Sequence, residues 1–385
     1  MSNMQKKPRK KIKGAVYFDY SLLAVLVFLV CFGLVMLYSS SAYGALVKYN
    51  DSMHYFKRQI FFCVLGFAGM YVVSRIDYHE YIKWGRKIFY CSIVLMALVQ
   101  TPLGVEVNGA RRWIQLPFGQ QFQPAEVTKI AVIVFIPVVI CQLGKEIKTL
   151  KGMGQAFLWG LLAAGCVYIL TENLSTAIIV MGITCVMIFV VHPKTRPFVI
   201  LACAGLALIL IGVQILGAML STSESFRLRR ILVWLNPEEY ASEGGYQVMQ
   251  GLYAIGSGGF FGKGLGNSAQ KMMIPEVQND MILSVICEEL GVFGAIIVLV
   301  LFGLLLFRLM FIAQNAPDVY SSLVVTGIFT HIALQVTLNV MVVINLIPTT
   351  GITLPFISYG GTATLFLMAE MGIALGISKK IKFQE

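Results

Sequence analysis

The side chains best suited to chemistry fall in four short segments. Asp280 stands where a long loop meets an apolar run, preceded by IPEVQN and followed by MILSVICEELG. A carboxylate at the mouth of a helical bundle can serve as a general base, its pKa raised by burial and lowered by nearby arginines. An Asp directly before an apolar run is equally suited to capping a helix N-terminus, and spacing alone does not choose. Glu276, four residues earlier, fits a solvated loop acid, whereas Glu288 and Glu289 lie within the apolar run, where an acid needs a partner.

The second segment, NGARRWI with QPAEVTK, offers Arg111, Arg112 and Lys129 as a cationic patch for an anionic group and Trp113 as a stacking platform. The plainer alternatives are that Glu126 and Lys129, three apart on one helix face, pair with each other, and that Trp113 is an interfacial anchor. In the third, GSGGFFGKGLG at 256–266, the Walker pattern fails: Ser257 stands where its first glycine belongs and Gly264 where its hydroxyl belongs. Two readings stay open, a loop presenting backbone N–H groups and Lys263 to a diphosphate, and a plain hairpin. The fourth, IPTTGITLPFISYGGTA at 347–363, is broken helix; at membrane depth such backbone lines a cavity or is buried in protein. Gln335 and Asn339, one turn apart, are placed to hydrogen-bond across helices.

The scaffold that must position these residues is set by composition. Of 385 residues 57% are hydrophobic and 13% charged, against about 25% charged in soluble domains. That excludes a soluble enzyme, a disordered chain and a nucleic-acid-binding domain. Apolar runs occur at 20–40, 59–74, 88–104, 125–143, 154–171, 174–191, 198–219, 281–309, 319–345 and 356–377, each near the roughly 20 residues a membrane crossing needs. With the first tail cytoplasmic, nineteen of the thirty Lys and Arg residues fall inside and ten outside, as the positive-inside rule requires. The net charge of +11 therefore orients the chain and does not signal nucleic acid.

The expected fold is an all-α integral membrane protein of ten transmembrane helices with both termini cytoplasmic. Residues 1–18 form a basic tail, 19–219 helices one to seven, 220–279 a large extracytoplasmic loop, 280–378 helices eight to ten and 379–385 a second tail. Within the loop, Phe226 to Leu235 suggest an amphipathic helix with its arginines at lipid phosphates, ended by Pro237, and Tyr246 to Ile255 a second, half-inserted helix. All eight cysteines lie in apolar runs without a CxxC pair, and read as small packing residues.

GARRWIQL with QPAEVTK, YQVMQGLYAIGSGGFFGKGLG, the IPE-x3-D-x7-EELG stretch and IPTTGITLPFISYGG resemble, in order and spacing, the SEDS family of FtsW, RodA and SpoVE. The resemblance covers the chain after its basic head. It implies a peptidoglycan glycosyltransferase that polymerises lipid II outside the bacterial cytoplasmic membrane, working with a class B penicillin-binding protein. It also implies an essential acid at Asp280. The usual His-Thr-Asp reads Gln278-Asn279-Asp280 here, so the acid is kept and the histidine is not. Glu172-Asn173 and Thr362-Ala363 depart from the usual Pro-Asp/Asn and Ser-Ser, and Glu370 is not a familiar family position. Asn173-Leu-Ser175-Thr176 and PTTGITLP look closer to the FtsW/SpoVE branch than to RodA.

On this reading Asp280 is the base, Arg111, Arg112, Lys129 and Lys263 steady the leaving diphosphate, and Trp113 and Glu126 complete the substrate-binding set. A divalent cation, Mg or Mn, is the candidate cofactor, with no organic one. The expected partners are lipid II, membrane lipids and the penicillin-binding protein. The rivals are a lipid II flippase and a non-catalytic scaffold for division or sporulation.

Overall fold

The computed structural model describes residues 17–107, 110–116, 120–200, 203–205, 207 and 226–382. The basic head and most of the expected crossing at 198–219 lie outside the described residues. Among those described, nine helices run between two faces: α1 (Tyr20–Tyr49), α2 (His54–Val73), α3 (Tyr78–Ala97), α4 (Pro124–Leu143), α5 (Leu150–Thr171), α6 (Leu174–Val191), α9 (Ile282–Gln314), α10 (Val319–Val343) and α11 (Thr362–Ser378). Two shorter helices, α7 (Phe226–Leu235) and α8 (Gly245–Gly258), precede α9. Seven of the nine, all but α3 and α11, are long and apolar enough to cross a membrane.

Local chemistry sets the ends. Asp19, Asn173 and Asp318 cap α1, α6 and α10 by accepting the N–H of Leu22, Thr176 and Ser321 at 2.8, 3.1 and 2.8 Å. α4, buried from Pro124 to Val134 save at Val127 and Ile130, packs with α6 and α10 at the centre through Ile133, Ile183, Met187 and Ile328. The outer faces of α1, α2, α5 and α9 stay apolar and exposed, as lipid-facing surfaces do.

One face gathers both described chain ends. There the buried carboxylate of Asp19 holds the Arg308 guanidinium at 2.7 Å, and its backbone N–H donates to Ser378 Oγ at 3.4 Å. The opposite face carries the candidate chemistry.

Two expectations need correction. The third crossing, read at 88–104, is a helix over Tyr78–Ala97 capped by Asp77. Its first turns carry Glu80, Lys83, Arg86 and Lys87 and so drop out of an apolar-run reading. The chain then leaves helical geometry for a three-stranded antiparallel sheet, β1 (Gly104–Val107), β2 (Ala110–Leu116) and β3 (Gln120–Phe122), so the fold is mostly rather than wholly helical. Trp113 stands opposite Val105, and Ile114 opposite Phe122.

α9 is broken at Gly291, whose φ of 71° is left-handed. The segment 258–266 fills the break. Lys263 and Gly264 donate their N–H groups to the carbonyls of Glu288 and Glu289, both at 2.9 Å, and Val292 and Phe293 donate back to Gly259 and Phe260 at 3.0 and 3.1 Å. The fit is close: a Cβ on Gly258 would lie 1.9 Å from the Cys287 carbonyl oxygen, and one on Gly291 2.2 Å from that of Phe260.

The carboxylate of Glu288, fully buried, ties the same loop down. It accepts from Lys263 Nζ at 2.7 Å, the N–H groups of Ala269 and Gln270 at 3.2 Å each, and the hydroxyls of Ser257 and Ser268. Glu289 accepts from Lys271 Nζ at 3.1 Å and from Ser39 of α1. Both acids have the partners that their depth demands.

The close approach has a built-in control, because a Cβ on Gly256 meets nothing within 4 Å. Gly258→Ala is expected to cost about 1–3 kcal/mol or more by overpacking and to lower the thermal midpoint of the purified protein. Gly256→Ala should leave it unchanged or slightly raised. Equal midpoints for the two variants would show that α8 does not seat on α9 as described.

Candidate active site

Asp280 lies one residue before the cap of α9. That cap is Met281, and no side chain bonds there, so the Asp280 carboxylate is free of capping duty. It is half-buried, and its Oδ1 accepts from Gln247 Nε2 of α8 at 3.3 Å. Its main-chain carbonyl is held by Asn339 Nδ2 of α10 at 2.8 Å, and the same amide reaches the Ile352 carbonyl at 2.8 Å.

Desolvation pushes the Asp280 carboxyl above its ordinary value; its own backbone N–H, the charge of Arg230 and the Gln247 bond pull the other way. Arg230, on α7, is itself pushed down by burial and held up by Asp280. Each of the two charges therefore favours the ionised form of the other.

The segment 345–354, joined to Asp280 by the Asn339 amide, takes side-chain donors on its carbonyls. Trp234 Nε1 donates to Asn345 O at 3.0 Å, Arg230 to Thr349 O at 3.2 Å, Ser175 to Thr350 O at 3.1 Å and Gln335 to Thr353 O at 3.0 Å. Along this segment the buried atoms Gln335 Oε1, Asn339 Oδ1 and Thr350 Oγ1 have no protein partner among the described residues.

The remaining sequence candidates are spread more widely. Arg111 and Arg112 are successive residues of β2 at a bulge: Trp113 pairs with Val105 and Arg111 with Glu106, which leaves Arg112 as the extra residue. Arg111 is exposed, with its Nε 3.7 Å from Glu106 across the strands, while Arg112 donates to the Glu172 carbonyl at 3.1 Å. Trp113 is half-buried beside them.

Lys129 and Glu126 form a buried pair at 2.8 Å in the first turns of α4, the plainer of their two readings. Lys263 is committed to Glu288, and the N–H groups of Lys263 and Gly264 to the break in α9, so the glycine loop closes a helix gap. The amphipathic pattern of α7 placed Arg230 at lipid phosphates, whereas its side chain turns inward to Thr349. The side chains of Phe226 to Arg229 lie outside the described residues.

Gln247 and Arg230 are the neighbours of Asp280 that spacing did not single out. The available signal was a glutamine within the apolar YQVMQGLYAI and one arginine of three on an amphipathic helix.

Residues 20–382 match the model of the FtsW/RodA/SpoVE cell cycle proteins. Stage V sporulation protein E of Bacillus subtilis is 36% identical over 95% of this chain and 98% of its own length. A probable peptidoglycan glycosyltransferase FtsW of Trichlorobacter lovleyi is 36% identical over 97% of this chain and 96% of its own. Among solved structures, a chain of a peptidoglycan synthase complex coordinating polymerization and crosslinking superposes with a TM-score of 0.77 at 26% identity, covering 94% of this chain and 98% of that one. On a match that runs nearly from end to end, this multi-pass membrane protein belongs to the FtsW/RodA/SpoVE family of cell cycle proteins.

Proposed function

We propose that the chain is a peptidoglycan glycosyltransferase that polymerises lipid II at the outer face of the bacterial cytoplasmic membrane, with Asp280 as general base. The observation that carries this is a half-buried, desolvated carboxylate with no capping role, positioned by Gln247 and Asn339 and opposed by Arg230. The relatives named for this activity support the reaction class. The proposed topology adds the crossing at 198–219, giving ten, with both termini cytoplasmic.

In the proposed step the 4-hydroxyl of a GlcNAc gives its proton to Asp280 as its oxygen bonds the anomeric carbon of the lipid-linked glycan. The bond from that carbon to the diphosphate oxygen breaks, and undecaprenyl diphosphate leaves with the electron pair. A raised pKa suits this role, since a base near the working pH is both largely deprotonated and basic enough to take the proton.

Of the cations first considered for the leaving group, Arg111 is exposed and weakly paired. Arg112, Lys129 and Lys263 would each have to leave a contact they now make. A magnesium or manganese ion remains the proposed cofactor, carried by the diphosphate oxygens. A class B penicillin-binding protein is the proposed partner, in keeping with the synthase complex whose chain this one resembles.

A flippase would concentrate its charged groups near the bilayer midplane. One buried pair sits midway along its helices here, His331 of α10 with Glu370 of α11 at 2.8 Å, and each is the other's partner. The half-exposed acid is at the outer mouth, which favours the transferase.

Asp280→Asn keeps the shape and removes the proton acceptor. In purified protein with its penicillin-binding partner, glycan polymerisation from lipid II should fall by about a hundredfold or more, with expression and partner binding intact. Full polymerisation by that variant would sink the base assignment, and its loss with binding kept argues against a scaffold.

The pH profile supplies a second test. The base works deprotonated, so the rate should fall as pH drops through the raised pKa of Asp280. Arg230 holds that pKa down, and Arg230→Met should therefore move the acidic limb to higher pH. A limb that stays put or moves lower would separate the two residues.

A further inference from the structure

We propose that the cavity on the face carrying both chain ends binds the headgroup of an anionic phospholipid from the leaflet on that side, cytoplasmic by charge. The cavity measures about 510 Å³ and lies between the start of α1, the α2–α3 turn and the end of α11. Arg75, Lys379 and Lys380 line it against a single carboxylate, Asp77. Lys380 takes that carboxylate at 2.8 Å, and His79 shares it. Arg75 instead bonds the Tyr71 hydroxyl at 2.6 Å and lies over its ring at 4.9 Å, while Lys379 bonds the Ser74 carbonyl at 3.1 Å and lies 5.3 Å from the Phe18 ring.

Among the described residues, neither Arg75 nor Lys379 has a carboxylate partner. Burial and the charge of Arg75 both push the Lys379 ammonium down. An anion seated between them would relieve that repulsion. A phosphodiester has the required charge and acceptor oxygens, and basic pockets between helices on the cytoplasmic side are known seats for anionic headgroups.

The rim favours a lipid over a soluble anion. Tyr20 and Tyr71 are 73% and 59% exposed at the cavity edge, where amphipathic rings mark the membrane interface. Further along α1 the exposed Val27 and Phe28 offer an apolar wall for acyl chains. The cavity is remote from Asp280, so this inference stands apart from the proposed reaction.

The test is native mass spectrometry of the full chain in detergent, titrated with phosphatidylglycerol or phosphatidylcholine. Phosphatidylglycerol should be retained in preference, and millimolar inorganic phosphate should not displace it. Arg75→Gln with Lys379→Gln should weaken retention roughly thirtyfold, two charges at the usual ~1 kcal/mol each, and Arg75→Gln alone about fivefold. Lys148→Gln with Lys151→Gln, which removes equal charge from exposed sites elsewhere on that face, should retain lipid as the wild type does.

Equal retention of phosphatidylcholine, full retention by both Arg75 variants, displacement by phosphate or an equal loss in the Lys148/Lys151 control would each overturn the proposal. The single Arg75 variant, at an exposed position, keeps the test decisive should the double variant fold poorly.

Discussion

Main-chain polar groups at membrane depth have no water to fall back on, so every departure from helix must be answered within the protein. The break at Gly291 is the departure on which most of the outer half depends. Closing it takes a second stretch of backbone, glycine-rich because a side chain at Gly258 or Gly262 would collide with carbonyls of α9. That stretch is the continuation of α8, and α8 brings Gln247 to Asp280. The acid's nearest neutral contact is thus fixed by a hydrogen-bond deficit elsewhere on its own helix. Glu288, buried and bonded from several directions, keeps the arrangement from slipping.

The segment before α11 obeys the same rule from the other side. It is irregular from Asn345 to Gly361, with left-handed φ at Asn345, Gly351 and Phe356, and its carbonyls take donors from α6, α7 and α10. The backbone at Phe356 packs so tightly on α1 that a Cβ on Gly33 would sit 2.5 Å from its carbonyl oxygen. The segment is therefore held largely through its main chain, by single polar side chains reaching from neighbouring helices. Asn339 is the most economical of these, bridging the acid's own carbonyl and that of Ile352 with one amide.

Apolar runs located the long helices because membrane helices declare themselves by length and hydropathy. They missed the start of α3, whose charged first turns look like loop, and the small sheet, whose strands are too short and mixed in character to stand out. Asp280 was visible as an acid at a boundary, but its two roles were separable only once Met281 was seen at the cap. Arg230 and Gln247 were hidden for a different reason. Each reaches its partner through the way a short helix folds back on the bundle, and no local pattern encodes that path. Lys263 and Lys129 show the converse: both stood out as cations, yet each is neutralised by a buried glutamate, Glu288 in sequence beyond the loop and Glu126 one turn away.

The ion pair between Asp19 and Arg308 spans 289 positions of the chain. Asp19 opens α1, and it waits for its countercharge until α9 has been made. At 5–20 residues per second that is roughly 15–60 s. Ser378, which takes the backbone N–H of Asp19, comes later still. The start of α1 is thus locked only after α9 and the end of α11 have been made.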